Sequence, residues 1–149
     1  MKKSELTITR SEDKDEKFII SCVVDFYTRQ TDELLLITPT KLKKAIKKRL
    51  KDEYNWYLIV RLDGKNIGCI QLVVKPKVMA DVVLIYILPE FRSKGSGTLA
   101  LQKVFELIIK SDIKNVRTEI AINNTISQKM FSGLGFDLRS QIYYRDLSN

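Results

Sequence analysis

One stretch limits the possible folds more than any other. In Val78 to Lys110, VMADVVLIYILPEFRSKGSGTLALQKVFELIIK, an apolar strand pattern, a glycine-bearing turn and an amphipathic helix follow one another directly. Along Val78 to Leu88 both alternating faces are mostly apolar, with Asp81, Val83, Ile85 and Ile87 on one and Ala80, Val82, Leu84, Tyr86 and Leu88 on the other. Such a strand is expected at the centre of a sheet covered on both sides. Pro89 has no amide hydrogen and ends the pairing. Beyond Gly95, apolar residues from Leu99 to Ile109 suit helical packing, whereas Gln102, Lys103, Glu106 and Lys110 form a polar stripe. Between strand and helix lies Arg92-Ser93-Lys94-Gly95-Ser96-Gly97-Thr98. Two glycines let backbone approach a ligand closely, and the first amides of a helix are free donors. With the helix dipole, Arg92 and Lys94 adding positive potential, this turn has the makeup of an anion site.

Three readings of that turn are open. Glycines before a helix can be a tight turn and nothing more. Gly95-Ser96-Gly97-Thr98-Leu99-Ala100 also fits the dinucleotide fingerprint G-x-G-x-x-G/A. That motif expects the strand to run straight into the first glycine, whereas here Pro89 to Lys94 intervene and the chain leaves no room for a doubly wound sheet. Third, Arg92-x-x-Gly95-x-Gly97 after a strand and a proline resembles the acyl-CoA pyrophosphate loop of the GNAT N-acetyltransferases, Q/R-x-x-G-x-G/A. A second motif supports the third reading. Asn124-Thr-Ile-Ser127-Gln-Lys-Met130-Phe131-Ser-Gly-Leu134-Gly135-Phe136 is similar to that family's N-x-x-A-x-x-L-Y-E-K-x-G-F helix and turn. Two motifs in the right order and separation are far more specific than either alone.

At 149 residues the chain suits one domain, 1–149, able to bury roughly 70% of its unfolded surface without a metal or disulfide staple. Cys22 and Cys69 lie in apolar surroundings without metal spacing, so free thiols in a reducing cytoplasm are expected. Histidine is absent, which removes Ser-His and Cys-His nucleophile systems and the usual zinc sites. No apolar leader or membrane-length segment is evident. The net charge of +8 favours anionic ligands at long range. Part of it is concentrated in Lys41 to Lys51, read as an amphipathic surface helix whose basic face is either simply solvated or set against nucleic acid. No aromatics for base stacking interleave it, so nucleic acid is the less favoured partner.

The remaining elements follow in order. Leu6–Arg10 alternates as a strand, and Ser11 with Glu12 and Asp13 marks a helix start, the helix running to about Thr28. Thr38-Pro39 caps the basic helix. Trp56 to Val60, the Asp63-Gly64 turn and Ile67 to Val74 form a hairpin, and Lys75 to Lys77 turns into the central strand. Asn115 to Ile122 is expected as a strand parallel to the central one. A helix from about Asn124 to Gly133 and a final strand at Gln141 to Leu147 complete the chain. The fold class is α/β (α+β), and the resemblance implies the GNAT acyl-CoA N-acyltransferase fold. Its mixed, mostly antiparallel sheet has about seven strands flanked by about four helices.

The resemblance further implies acetyl-CoA as co-substrate, no metal, and a small-molecule or peptide amine as acceptor. The pyrophosphate would rest on amides around Lys94 to Thr98, and the pantetheine would pair as a pseudo-strand near Ile87 and Leu88. Arg92, Ser93, Asn124 and Phe131 complete the cofactor-binding set. Asp81 falls where some members carry a general base, while Asp25, Asp32 and Glu33 border the acceptor site. The family's acid tyrosine corresponds to Phe131, which has no proton to give, so Tyr86, Tyr143 or Tyr144 would have to reach the sulphur, and Tyr143 is taken as the candidate acid. The function expected is acetyl transfer to a primary amine by direct attack in a ternary complex. The alternatives are a catalytically weakened acyl-CoA-binding or interaction protein, and a nucleic-acid-associated protein using Lys41 to Lys51. A homodimer is compatible with such a fold.

Overall fold

A computed structural model describes residues 3–29 and 38–148. Asp32, Glu33 and the apolar run Leu34 to Ile37 lie outside the described residues. Strand β1 (Leu6–Arg10) is followed by a 3₁₀ turn at Asp13–Asp15 and helix α1 (Glu16–Arg29). The helix starts later than Ser11 suggests, because Glu12 and Asp15 form a capping box around the 3₁₀ turn. Helix α2 (Pro39–Leu50) begins as expected, with Thr38 Oγ1 accepting from Lys41 N at 3.3 Å and Pro39 in its first turn.

Strands β2 (Asn55–Leu62) and β3 (Lys65–Lys75) pair antiparallel across a tight turn in which Asp63 and Gly64 both have positive φ, 50° and 81°. That is the backbone an Asp-Gly hairpin selects. β3 pairs with β4 (Met79–Ile87), and helix α3 (Ser96–Lys110) leads to β5 (Val116–Thr118), which pairs parallel to β4. Helix α4 (Thr125–Gly133) carries Asn124 as its N-cap, Oδ1 accepting from Ser127 N at 3.1 Å. The sheet order is β1-β2-β3-β4-β5. Among the described residues the sheet therefore has five strands rather than about seven: the predicted strand over 115–122 is paired only at Val116–Thr118, and no strand is formed at Gln141 to Leu147. Residues up to Glu119 form one compact unit and those from Ile120 a second.

Two apolar layers hold the first unit together. On one face of the sheet, Ile19, Cys22 and Val23 of α1 and Leu42 and Ile46 of α2 bury against Tyr57, Ile59, Cys69, Leu84 and Tyr86. On the other, α3 brings Ala100, Leu101, Val104 and Ile108, all buried, against β1 and β4. Each Val, Leu or Ile side chain so buried stabilises the unit by about 1.5–3 kcal/mol. One break in the alternation decides what faces what. Gln71 pairs with Leu84 but Leu72 pairs with Val82, so Val83 is an extra residue on β4, a β-bulge. The bulge swaps the two faces of β4: Leu84 and Tyr86 join Asp81 on the α1/α2 side, while Ala80 and Val82 join Ile85 and Ile87 on the α3 side. A uniform period of two, as read from the sequence, misassigns half of the strand. Cover is also incomplete, since Val83 is 43% exposed.

Candidate active site

The turn between β4 and α3 has the backbone its composition predicts. After a short 3₁₀ turn at Pro89–Phe91, Ser93 and Gly95 both adopt positive φ, 62° and 78°. A Cβ placed on Gly95 would meet no protein atom within 4 Å, so its left-handed backbone and the open space in front of it, rather than close packing, account for the glycine. No side chain caps α3, and its first intrahelical bond at this end is Leu99 N to Gly95 O at 3.1 Å. The amides of Ser96, Gly97 and Thr98 therefore lie in the first turn with the dipole behind them, the arrangement that holds phosphate groups. Lys94 is exposed beside them. Arg92 is turned back: its Nε donates to Ile87 O at 2.7 Å and its guanidinium lies 5.1 Å from the Tyr86 ring centre.

Next to this turn β4 has an open edge. Its pairing with β5 covers only Ala80–Val116, Asp81–Arg117 and Val82–Thr118, and ends at the bulge. Leu88 N donates to Ile67 O at 2.7 Å, which commits Leu88 to β3. The alternation of an antiparallel ladder then turns the backbone groups of Ile85 and Ile87 away from β3, towards the slot between β4 and β5. Sequence reasoning named Ile87 and Leu88 for an added strand; the geometry presents Ile85 and Ile87. Gly68, opposite Ile87, is obligatory for packing, since a Cβ there would stand 2.2 Å from Tyr86 O.

On the α1/α2 face beside the slot, Tyr86 Oη donates a very short hydrogen bond to Asp25, which also pairs with Arg29 at 3.0 Å. The Tyr86 bond, ahead of Arg29, holds the Asp25 carboxyl below its ordinary range. Burial first, then Asp25, pushes the Tyr86 phenol up to about 12. Asp81 lies on the same face but towards the opposite end of β4, roughly 20 Å along the strand from Ile87 at about 3.3 Å per residue. Both its oxygens accept from Arg117, at 2.8 and 2.9 Å, and this hydrogen bonding raises the guanidinium pKa. Asp81 and Arg117 also line a cavity of about 520 Å³ with Tyr54, Val73 and Met79.

The structure thus brings Ile87, Leu88 and Arg92 to Thr98 into one loop, with Asp81 apart from it. Asn124, Phe131 and Tyr143 belong to the second unit. There Asn124 caps α4, Phe131 is buried edge-to-face with Phe136 at 5.0 Å, and Tyr143, 89% exposed, donates to Gln141 at 3.0 Å. Arg117 and Gln71 escaped the sequence reading. For Gln71 the signal was present, a lone amide within the apolar run Cys69-Ile70-Gln71-Leu72.

The family model described as Acetyltransferase (GNAT) family matches residues 20–136, most of the chain and both motifs. The chain belongs to the GNAT acetyltransferase family. Solved structures agree on the GNAT fold. An aminoglycoside N-acetyltransferase, AAC(6')-Iy in complex with CoA, is 17% identical with a TM-score of 0.77, covering 98% of this chain and 97% of its own. A possible acetyltransferase from Clostridium difficile 630 is 16% identical with a TM-score of 0.79, covering 97% and 99%. AAC(6')-Iy bound to a bisubstrate analogue of CoA and acetylneamine is 18% identical with a TM-score of 0.75, covering 95% and 98%. No curated protein matches. Among the described residues no helix is long and apolar enough to cross a membrane, and no group of three His, Cys, Asp or Glu is placed to hold a metal ion.

Proposed function

We propose that this GNAT domain, 1–149, transfers an acetyl group from acetyl-CoA to a primary amine held in the same complex. One observation carries the reading: the uncapped first turn of α3 stands beside a β4 edge whose backbone groups at Ile85 and Ile87 face an open slot. The residues fit a long diphosphate-bearing thioester. The amides of Ser96, Gly97 and Thr98 hold phosphate oxygens, with Lys94 adding charge, and Ile85 and Ile87 pair with the amide-bearing arm. Arg92 must exchange its bond to Ile87 for the phosphates. Acetyl-CoA supplies an activated acyl group; a β4 amide at the slot would polarise its carbonyl. The phosphate end lies at α3 on one face, so an arm crossing the slot emerges on the α1/α2 face, where the acceptor would meet it.

Proton handling is the less regular part. Asp81 keeps its place as candidate base, on the acceptor face, with both its oxygens accepting from Arg117. Asp25, with its lowered pKa, suits anchoring a cation better than removing a proton. Phe131 has no proton to give, and Tyr143 or Tyr86 would protonate the thiolate, a contribution typically of about 10² to 10⁴ fold. The weakened relative that binds acyl-CoA without turnover is therefore the second reading, carried by Phe131. The aminoglycoside enzymes among the structural neighbours make small cationic amines the first acceptors to try. Free Cys22 and Cys69 support a reducing compartment, and a homodimer is compatible with the fold. Thermal stabilisation by acetyl-CoA together with thiol release on adding amines tests the reading. Stabilisation without release supports the weakened relative, and the absence of both stabilisation and release overturns both readings.

A further inference from the structure

One charge of the phosphate loop is turned back on the strand it follows. Arg92 Nε donates to Ile87 O at 2.7 Å, and the guanidinium stands 5.1 Å from the centre of the Tyr86 ring. Its charge is felt by both Tyr86 and Asp25, which are hydrogen-bonded to each other. The β3–β4 ladder fixes the side of β4 on which Arg92 makes its bond. Leu88 N donates to Ile67 O and Gly68 stands opposite Ile87, so the Ile87 carbonyl points away from β3 and into the slot. Arg92 therefore occupies the oxygen that an amide of the carrier's arm would use. The residue is otherwise exposed, on a flexible side chain in the same loop as the uncapped amides of α3.

A guanidinium binds phosphate oxygens through two parallel charge-assisted bonds, more strongly than it binds a single peptide oxygen. The arm itself carries amides and a sulphur, with no anion to attract Arg92. We propose that Arg92 is a specificity-determining residue: bound to Ile87 O it bars the slot, and a phosphate group at the first turn of α3 draws it off, so the arm is admitted when the diphosphate is recognised. The class selected is a nucleotide-linked thioester, as against the same arm without its phosphates. This rests on the acetyltransferase reading and its phosphate loop. The two ends of the ligand are then linked. Competence at Ile85 and Ile87 depends on the fraction of molecules in which Arg92 is away, and an anion at α3 raises that fraction. A simple phosphate contact has no such reach, since it strengthens the diphosphate end and leaves the arm unaffected.

The test uses the full-length protein with CoA and with pantetheine, which has the same arm and no phosphate. Calorimetry reads CoA, and the amide resonances of Ile85 and Ile87 read pantetheine. Arg92→Ala is expected to weaken CoA by about tenfold, the loss of a charged hydrogen bond, and to tighten pantetheine by about threefold or more, the factor by which the barred state dilutes the competent one. Saturating inorganic pyrophosphate should likewise tighten pantetheine on wild type by about threefold, and should have no such effect on Arg92→Ala. Pantetheine affinity unmoved by the substitution, the two ligands moving in the same direction, or pyrophosphate without effect on wild type overturns the proposal. Pantetheine bound by neither protein while CoA binds overturns it as well. CoA left unbound by wild type instead removes the transferase reading itself. Arg92→Met, which keeps an apolar stem and has no donor, decides the matter should Arg92→Ala fail to fold.

Discussion

At the scale of single residues, the candidate site is built from backbone more than from charged side chains. Gly97 sits in the first turn of α3, among the amides that lack an intrahelical partner, and a glutamate there would bring negative charge to them. Gly97→Glu should abolish acetyl-CoA binding in calorimetry, and unchanged affinity would remove the phosphate loop. Tyr86 yields a pH prediction. Its folded pKa is raised, so the stability it contributes is complete below the unfolded value of 10 and is lost as pH rises towards about 12. Denaturant melts should show stability falling over that window, and Tyr86→Phe should lessen the fall, the remainder belonging to Tyr57, whose phenol burial likewise pushes up to about 12. Asp25 has the opposite sign: with a lowered folded pKa, its contribution is present above 3.8 and disappears as pH falls through the folded value. The Tyr86 and Asp25 types were visible in the sequence, but their pairing was not, because residues 61 positions apart meet only when α1 packs on the sheet.

Among elements, local chemistry was the most legible. Thr38-Pro39, Asp63-Gly64 and Asn124 each act within a few residues of themselves, and each starts the helix or turn it predicts. Thr38→Ala should cost about 1 kcal/mol in urea unfolding, as loss of a helix cap does. Long-range pairing was not legible. The bulge at Val83 depends on how β3 runs alongside β4, and nothing in the alternation of Val78 to Leu88 marks it. Gln141 to Leu147 has a strand's composition but forms no strand among the described residues, and composition alone carries no information about pairing. Gly68→Ala is predicted to separate β3 from β4 where Tyr86 O approaches, lowering stability by about 1–3 kcal/mol and activity with it.

For the molecule as a whole, family and fold were readable because two motifs and the order of elements point the same way, whereas the pairings of Tyr86 with Asp25 and of Asp81 with Arg117 depend on which side chains the folded sheet brings together. The +8 charge acts at this largest scale. It should draw a polyanionic carrier to the protein, so acetyl-CoA affinity should weaken several-fold between 50 and 500 mM salt in calorimetry, roughly the range over which screening shortens below 10 Å. The bulge has a consequence at this scale too. Remove Val83 and β4 would regain an even rhythm, with β5 free to zip alongside it past Thr118. The product would be a tidier sheet, harder to melt, with the backbone of Ile85 and Ile87 covered and no berth left for the arm proposed to lie there.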